Sequence, residues 1–369
     1  MKKRLVVCCD GTWNQLRSSY PTNVVKLAQS VKYITDDGTP QIVFYQQGLG
    51  TEDSSLWQTL GGGAFGWGID KLIQDAYRFL CVNYNTEAED EIYLFGFSRG
   101  AYIVRCLAGM IYCSGLLHRE QIRKTPQAYK IYRDRKIHPD AQEAKDFRKK
   151  NAKSVKSKDT SGQQSYMEDR VSIKMLGCWD TVGALGMPDI IPWLPIEKII
   201  NQKYLFYDPE LSPIVENAFQ AVAIDEKRKS FPSTRMDKNS KNPNQRVEEV
   251  WFSGEHGCVG GGTKGYQGLS DCALAWMIER AKEVELECDQ RKIERDFDSE
   301  GKPTRFGIYP EPTIYFDNSL TFPFILGGEE SRSIRGSNIK FHSSVKERLK
   351  KRSDYLPENL KQFIDRLKQ

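Results

Sequence analysis

The chain is poor in the residues that carry metal and redox chemistry. Only four histidines occur in 369 residues, His118, His138, His256 and His342, and no two cysteines have Cys-x-x-Cys spacing. That leaves no sequence signature of a zinc site or a thioredoxin-like motif. The nine cysteines are odd in number, and Cys8, Cys106 and Cys178 stand inside apolar runs. They read as buried, reduced thiols and not as a disulfide framework. No apolar run approaches the ~20 residues of a membrane-spanning helix. Met-Lys-Lys-Arg is followed by only five apolar residues, Leu5 to Cys9, too few for a signal-peptide core. The expectation is a soluble, cytoplasmic protein, with export by a route that reads no cleaved signal left open. A net charge of +5 is too small a bias for a dedicated nucleic-acid binder. No cofactor and no metal are implied.

What is present is alternation. Arg4 to Cys9, Gln41 to Tyr45 and Glu91 to Phe95 read as strands, the first and third as continuous apolar runs suited to a sheet covered on both faces. Between them, Asn23 to Ile34 and Ile69 to Tyr84 repeat apolar residues at helical spacing. Pro21 and Thr22 mark the start of the first helix. Val171 to Gly177, Arg246 to Phe252 and Thr313 to Phe316 read as further strands, and Gly268 to Val284 as a covering helix. This is the signature of a mostly parallel α/β sheet with helices on both faces and inserted loops. The expected organisation is one domain over 1–369. It would carry a polar Lys-rich insertion at about 140–170, an apolar insertion at about 183–208 and a charged C-terminal extension at about 289–369. From Lys124 to Asp169 the pattern dissolves into charge, which predicts a solvated loop, with a basic patch for anionic lipid or nucleic acid as the alternative reading.

The chemistry concentrates in "EIYLFGFSRGAYIVRCLAGMI". Gly96-Phe97-Ser98-Arg99-Gly100 is a G-x-S-x-G motif placed after an apolar strand and before an amphipathic helix. A strand-to-helix turn that tight strains the nucleophile's backbone, so small residues must flank Ser98. The Arg99 amide, at the positive end of the helix, can donate to a developing oxyanion. A serine needs a base. His256, in "VWFSGEHGCVGGG", lies just past a strand in a Gly-rich loop, whereas the other three histidines sit in charged or polar surroundings. For the acid, Asp180 in "LGCWDTVGALG" follows a strand end, and Asp225 in "AVAIDEKRK" is its rival. The order Ser98, Asp180, His256 favours Asp180. "CCDGTWN" looks at first like a phosphatase site, but such sites need a nucleophilic Asp two residues earlier, where Cys8 stands. Counting strands back from Ser98 makes it an oxyanion loop, with Gly11 and Thr12 supplying the second donor and Asp10 clamping the turn. The segment "GALGMPDIIPWLPIEKIINQKYLFYD" after Asp180 reads either as a lid whose Ile190, Ile191, Trp193, Leu194 and Ile196 line an acyl groove, or as a satellite core.

"CCDGTWN", "QQGLGT", "GGGAFGWGIDKLIQDAYRFL", "FGFSRGAYIVR", "LGCWDTVGALG", "VWFSGEHGCVGGG" and "FHSSVKERL", in that order, resemble a bacterial and fungal α/β-hydrolase family that includes phospholipase effectors of type VI secretion. The resemblance implies an α/β-hydrolase fold, a triad at Ser98, Asp180 and His256, and an ester or phospholipid substrate reached by peripheral membrane contact. Cys258 stands where the family commonly carries an acid. The same triad would equally serve a thioesterase or a peptidase, and a catalytically silent module is the alternative of another class.

Overall fold

Arg4–Cys9 forms β1, and every one of its residues is buried. Its alternate side chains enter two different cores. Leu5, Val7 and Cys9 join one cluster, while Val6 and Cys8 join the other. A strand covered on both faces has no reason to alternate with polar residues, which is why this run is continuously apolar. The architecture is that of a computed structural model, which describes residues 1–11, 14, 19–48, 54–154, 170–183, 210–293, 296–297, 303–305, 307–319, 328–335 and 339–368.

After β1 come α1 (Asn23–Ser30), β2 (Gln41–Gln46), α2 (Ser54–Asn83), β3 (Glu91–Phe97) and α3 (Arg99–Ser114). α4 (Thr125–Arg133), α5 (Gln142–Asn151), β4 (Ile173–Trp179), β5 (Val215–Ala223) and β6 (Arg246–Phe252) follow. The chain continues through α6 (His256–Gly260), α7 (Gln267–Glu283), the small β7 (Asp296–Phe297) and β8 (Pro303–Arg305) pair, β9 (Lys340–Phe341), α8 (Ser343–Lys351) and α9 (Ile364–Lys368). Seven strands form one sheet in the order β2-β1-β3-β4-β5-β6-β9, with every pairing parallel. α1 and α7 pack on one face, and α2 to α5 on the other. This is the α/β-hydrolase fold. The strand order reverses at β1 and β3, so a crevice opens beyond their carboxyl ends, the usual place for a site in such sheets.

The differences from the sequence reading have local causes. α1 stops at Ser30, not Ile34, because Val31 and Ile34 turn extended and pair with Cys288 and Pro40. β4 lies two residues later than expected, which brings Asp180 to its very end. β5 escaped notice because Gln220 interrupts its apolar run, yet Gln220 is fully buried and bonded to Thr181, Glu249 and the Thr234 carbonyl. Thr313–Phe316 is not a strand. The carbonyls of Pro312, Thr313 and Ile314 accept from the guanidinium groups of Arg348 and Arg352 and not from a sheet partner. The charged stretch after Lys124 holds two helices, α4 and α5, which bury Ala128, Tyr129, Ile131, Ala144 and Phe147, so it is a solvated loop neither wholly nor mainly over 125–154. Residues 155–169 lie outside the described residues. The C-terminal extension packs too: Ile334, Val345, Leu360 and Leu367 form a third cluster against Val222, Ile224 and Trp251 of the sheet edge.

The inward face of α1 carries a charged residue that hydropathy would not put there. Lys26 is 1% exposed and its Nζ lies 2.9 Å from Oδ1 of Asp271 on α7, itself 1% exposed. The other Asp271 oxygen accepts from the Tyr309 amide at 2.8 Å. Removing one member of a buried pair strands the other's charge. Lys26→Met is therefore expected to lower the unfolding free energy by about 3–5 kcal/mol in urea titrations. The same change at solvent-facing Lys32 should cost far less, and equal losses would refute the role of burial.

Candidate active site

The turn between β3 and α3 places Ser98. Its backbone adopts φ 58°, ψ −122°, a left-handed strain of about 1–3 kcal/mol for a non-glycine residue. The neighbours make room for it. A Cβ on Gly96 would lie 2.4 Å from the Gly100 carbonyl oxygen, and one on Gly100 would lie 2.1 Å from that of Cys9. No side chain fits at either place. The Ser98 amide donates to the Trp179 carbonyl at 3.0 Å, so the elbow is anchored to the end of β4. Helix α3 starts at once with Arg99, and its dipole points its positive end at the serine.

One residue past β4, Asp180 is completely buried and also has positive φ, 42°. Its amide continues the sheet by donating to Ala221 at 2.8 Å. His256 opens α6, just after β6, and is 7% exposed. Its Nδ1 lies 2.6 Å from Asp180 Oδ2. A carboxylate only accepts, so Nδ1 carries the hydrogen and Nε2 keeps its lone pair as a base. The Phe97 ring packs on the imidazole at 4.5 Å, with the Phe231 ring edge-on at 5.0 Å. Phe97 immediately precedes Ser98, so its stacking joins the serine turn to the histidine loop. Gly260 is required there, because a Cβ would enter the Phe97 ring at 1.9 Å.

Asp225, the rival acid, does something else. Its carboxylate accepts from the Gly254 amide at 2.6 Å and from Tyr355 Oη at 2.8 Å, which shapes the loop leading to His256. The remaining histidines are dispersed. His118 precedes a short 3-10 turn, and His138 sits exposed beside Asp140. His342 caps α8 and stacks on Phe252 at 4.5 Å, and burial pushes its pKa down to about 4.

Asp10 is the clamp its position suggests. One of its oxygens accepts from Thr22 Oγ1 and Tyr45 Oη, each at 2.8 Å, and the other from the Gly11 amide at 2.7 Å. Burial pushes its pKa up to about 6, against the pull of these three donors. The Gly11 amide is thereby turned toward Asp10. Gly11 also contributes space: a Cβ would come within 3.2 Å of Ser98 Cβ. Thr12, Ile190, Ile191, Trp193, Leu194 and Ile196 lie outside the described residues.

Several polar residues around the histidine were not legible beforehand. The His256 amide donates to Glu226 Oε2 at 3.1 Å, and Arg228 pairs with both Glu226 and Glu255. Arg228 also covers the Phe231 ring at 4.0 Å. Burial pushes the Glu255 carboxyl up to about 7, opposed by Arg228. Arg332 holds Asp180 from the far side, through Nη1 to Oδ1 at 2.5 Å and Nη2 to Oδ2 at 2.9 Å. It lies in "GEESRSIRGS", where no motif or periodicity singles it out. Among the described residues no group of three or more His, Cys, Asp or Glu could hold a metal ion, and no helix is long and apolar enough to cross a membrane.

Residues 3–280 match the family described as the type VI secretion phospholipase effector Tle1-like catalytic domain. The chain belongs to that family. It is 30% identical over 249 residues to the uncharacterized protein YEL023C of Saccharomyces cerevisiae, an alignment covering 62% of this chain and 32% of the yeast protein. Among solved structures, an uncharacterized protein from Pseudomonas aeruginosa aligns at 18% identity and TM-score 0.43, covering 78% of this chain and 46% of that one. The Tle1 effector bound to the VgrG spike of the type 6 secretion system aligns at 17% identity and TM-score 0.40, covering 70% and 51%. The chain thus spans about a third of its yeast relative and about half of each solved chain.

The electrostatics of His256 can be measured directly. Burial lowers its pKa, outweighing Asp180, whose hydrogen bond and charge raise it. A carbon-detected NMR titration of the His256 ring should give a midpoint below the ordinary ~6.5. A midpoint above that value would show that the carboxylate dominates instead.

Proposed function

We propose that this chain is a serine hydrolase that cleaves carboxylic esters, as a lipase or phospholipase. The observation that carries this reading is the His256–Asp180 hydrogen bond of 2.6 Å, beside a Ser98 held in the strained turn that starts α3. The three side chains come from the ends of β3, β4 and β6, in the order that α/β-hydrolases use. In the reaction, His256 Nε2 takes the Ser98 Oγ proton as Oγ bonds to the acyl carbon. The tetrahedral intermediate collapses when the leaving alkoxide departs with that proton. Water, deprotonated by the same nitrogen, then releases the acid and restores Ser98. Asp180 keeps the ring in the right tautomer and stabilises its charged form.

The oxyanion is assigned to the Arg99 amide at the positive end of α3. Phospholipid is the favoured ester because the family is one of phospholipase effectors, and it brings with it a peripheral contact with a lipid surface. A thioesterase or peptidase would use the same residues. A silent module would leave Ser98 unreactive to a fluorophosphonate probe.

Ser98→Ala should abolish turnover of p-nitrophenyl butyrate and of phospholipid vesicles while the melting temperature holds. Undiminished turnover would remove this reading. Asp180→Asn should lower kcat by about 10⁴, the loss seen when a triad acid is neutralised, with Asp225→Asn costing far less. The reverse ranking would transfer the acid's role to Asp225.

A further inference from the structure

Arg332 reaches Asp180 from a part of the chain that neither the serine turn nor the histidine loop belongs to. Resting on the serine-hydrolase reading above, we propose that Arg332 is a positioning residue of this enzyme, fixing the Asp180 carboxylate and through it the ring of His256. Its two terminal nitrogens bind the two carboxylate oxygens side by side. A guanidinium is planar and donates in parallel, so this grip sets the plane of the carboxylate as well as its place. The same nitrogens donate to the carbonyls of Ala223 at 3.1 Å and Phe231 at 2.9 Å. The arginine is therefore itself held, 8% exposed, between the end of β5 and the segment whose ring packs on His256. Asn359 completes the arrangement by donating to the Arg332 and Ile224 carbonyls at 3.1 and 2.8 Å. Arg332 and Asn359 themselves lie beyond residue 280, where the family match ends.

A cation on the acid has a second effect. Arg332 draws on the Asp180 charge that would otherwise stabilise an imidazolium, and it holds the carboxyl well below its usual range. Other charges act on His256 as well: Glu226 and Arg228 from the segment after β5, while Glu255 precedes it in its own loop. Glu226 accepts from the His256 amide, and Arg228 is matched by two carboxylates. Removing Arg332 alone leaves that balance in place and returns the full Asp180 charge to the ring. The imidazolium gains, so the pKa of His256 rises and the acid limb of activity moves to higher pH.

The test uses the purified full chain, with p-nitrophenyl butyrate turnover and fluorophosphonate labelling followed from pH 4 to 9. Arg332→Met should lower kcat about 10- to 100-fold, the scale of losing a group that orients a catalytic ligand, with KM little changed. Its acid limb should move up by about one unit, the scale of a lost neighbouring charge. Arg332→Lys keeps the cation without the parallel grip. It guards against a methionine variant that fails to fold, and should lose kcat while its acid limb stays at the wild-type position. In an Asp180→Asn background, Arg332→Met should cost nothing further, because the arginine acts only through that carboxylate. Wild-type kcat and acid limb in Arg332→Met would overturn the proposal. So would a loss of kcat that follows the melting temperature with no movement of the limb in either variant. Ser98→Ala run alongside separates the two levels: if it stays active, the hydrolase reading fails, and if it is dead while Arg332→Met is normal, only this inference does.

Discussion

A carboxylate with no exposure to water has to be surrounded by donors, and Asp180 recruits four of them from three places. The Ala223 amide gives one at 2.9 Å, His256 a second and Arg332 the remaining two. Desolvating such a charge costs several kcal/mol, and the surrounding groups offset that only if their geometry is good. Each donor therefore has to be held where it is. Ala223 is fixed by the β5 register, His256 by its Gly-rich loop, and Arg332 by the C-terminal segment. Satisfying one buried charge thus ties together three parts of the chain that are far apart in sequence.

Other buried polar groups do the same for the walls of the site. Asp10 binds α1 through Thr22 and β2 through Tyr45, so the loop beside Ser98 is referred to both neighbours. Asn23, fully buried at the start of α1, donates to the carbonyls of Val259 in α6 and Ser270 in α7. These bonds add little net stability each, on the order of 1 kcal/mol, but leaving any of their members unpaired would cost more. Their consequence is specificity of placement. The serine turn and the histidine loop are each bonded to α1 or to the sheet, so a displacement of one is resisted by the other.

What could be read beforehand follows the range of the interactions involved. The serine turn is spelled out by five consecutive residues, Gly96 to Gly100, so its motif was visible as a string even though the Cys9 carbonyl is what Gly100 makes room for. The strands β1 and β3 were visible because sheet burial on two faces demands apolar runs. His256 could be chosen from the Gly-rich loop that the Phe97 ring requires. Asp180 was separable from Asp225 only through strand order, since both follow strands and both are buried. Gln220, Arg332, Glu226 and Arg228 were invisible for a common reason. Each is a polar residue wholly or partly covered by its polar partners, and hydropathy patterns record polarity but not partners. The direction of the Gly11 amide was likewise beyond reach, being decided by which way a neighbouring carboxylate turns.

The C-terminal segment acts on the histidine loop and on Asp180 together. Tyr355 bonds Asp225, which holds the Gly254 amide at the entrance to the histidine loop, while Arg332, its own carbonyl bonded by Asn359, holds Asp180. The third hydrophobic cluster fastens this segment to Val222, Ile224 and Trp251. The serine turn has a different support, since Gly96, Gly100 and Cys9 pack within the centre of the sheet. Loosening the segment would therefore unseat Asp180 and the histidine loop while leaving Ser98 in its strained conformation. The site is thus divided between a serine that the central sheet secures and a His256–Asp180 pair secured from outside it, and the two are joined where Phe97 lies against the ring of His256.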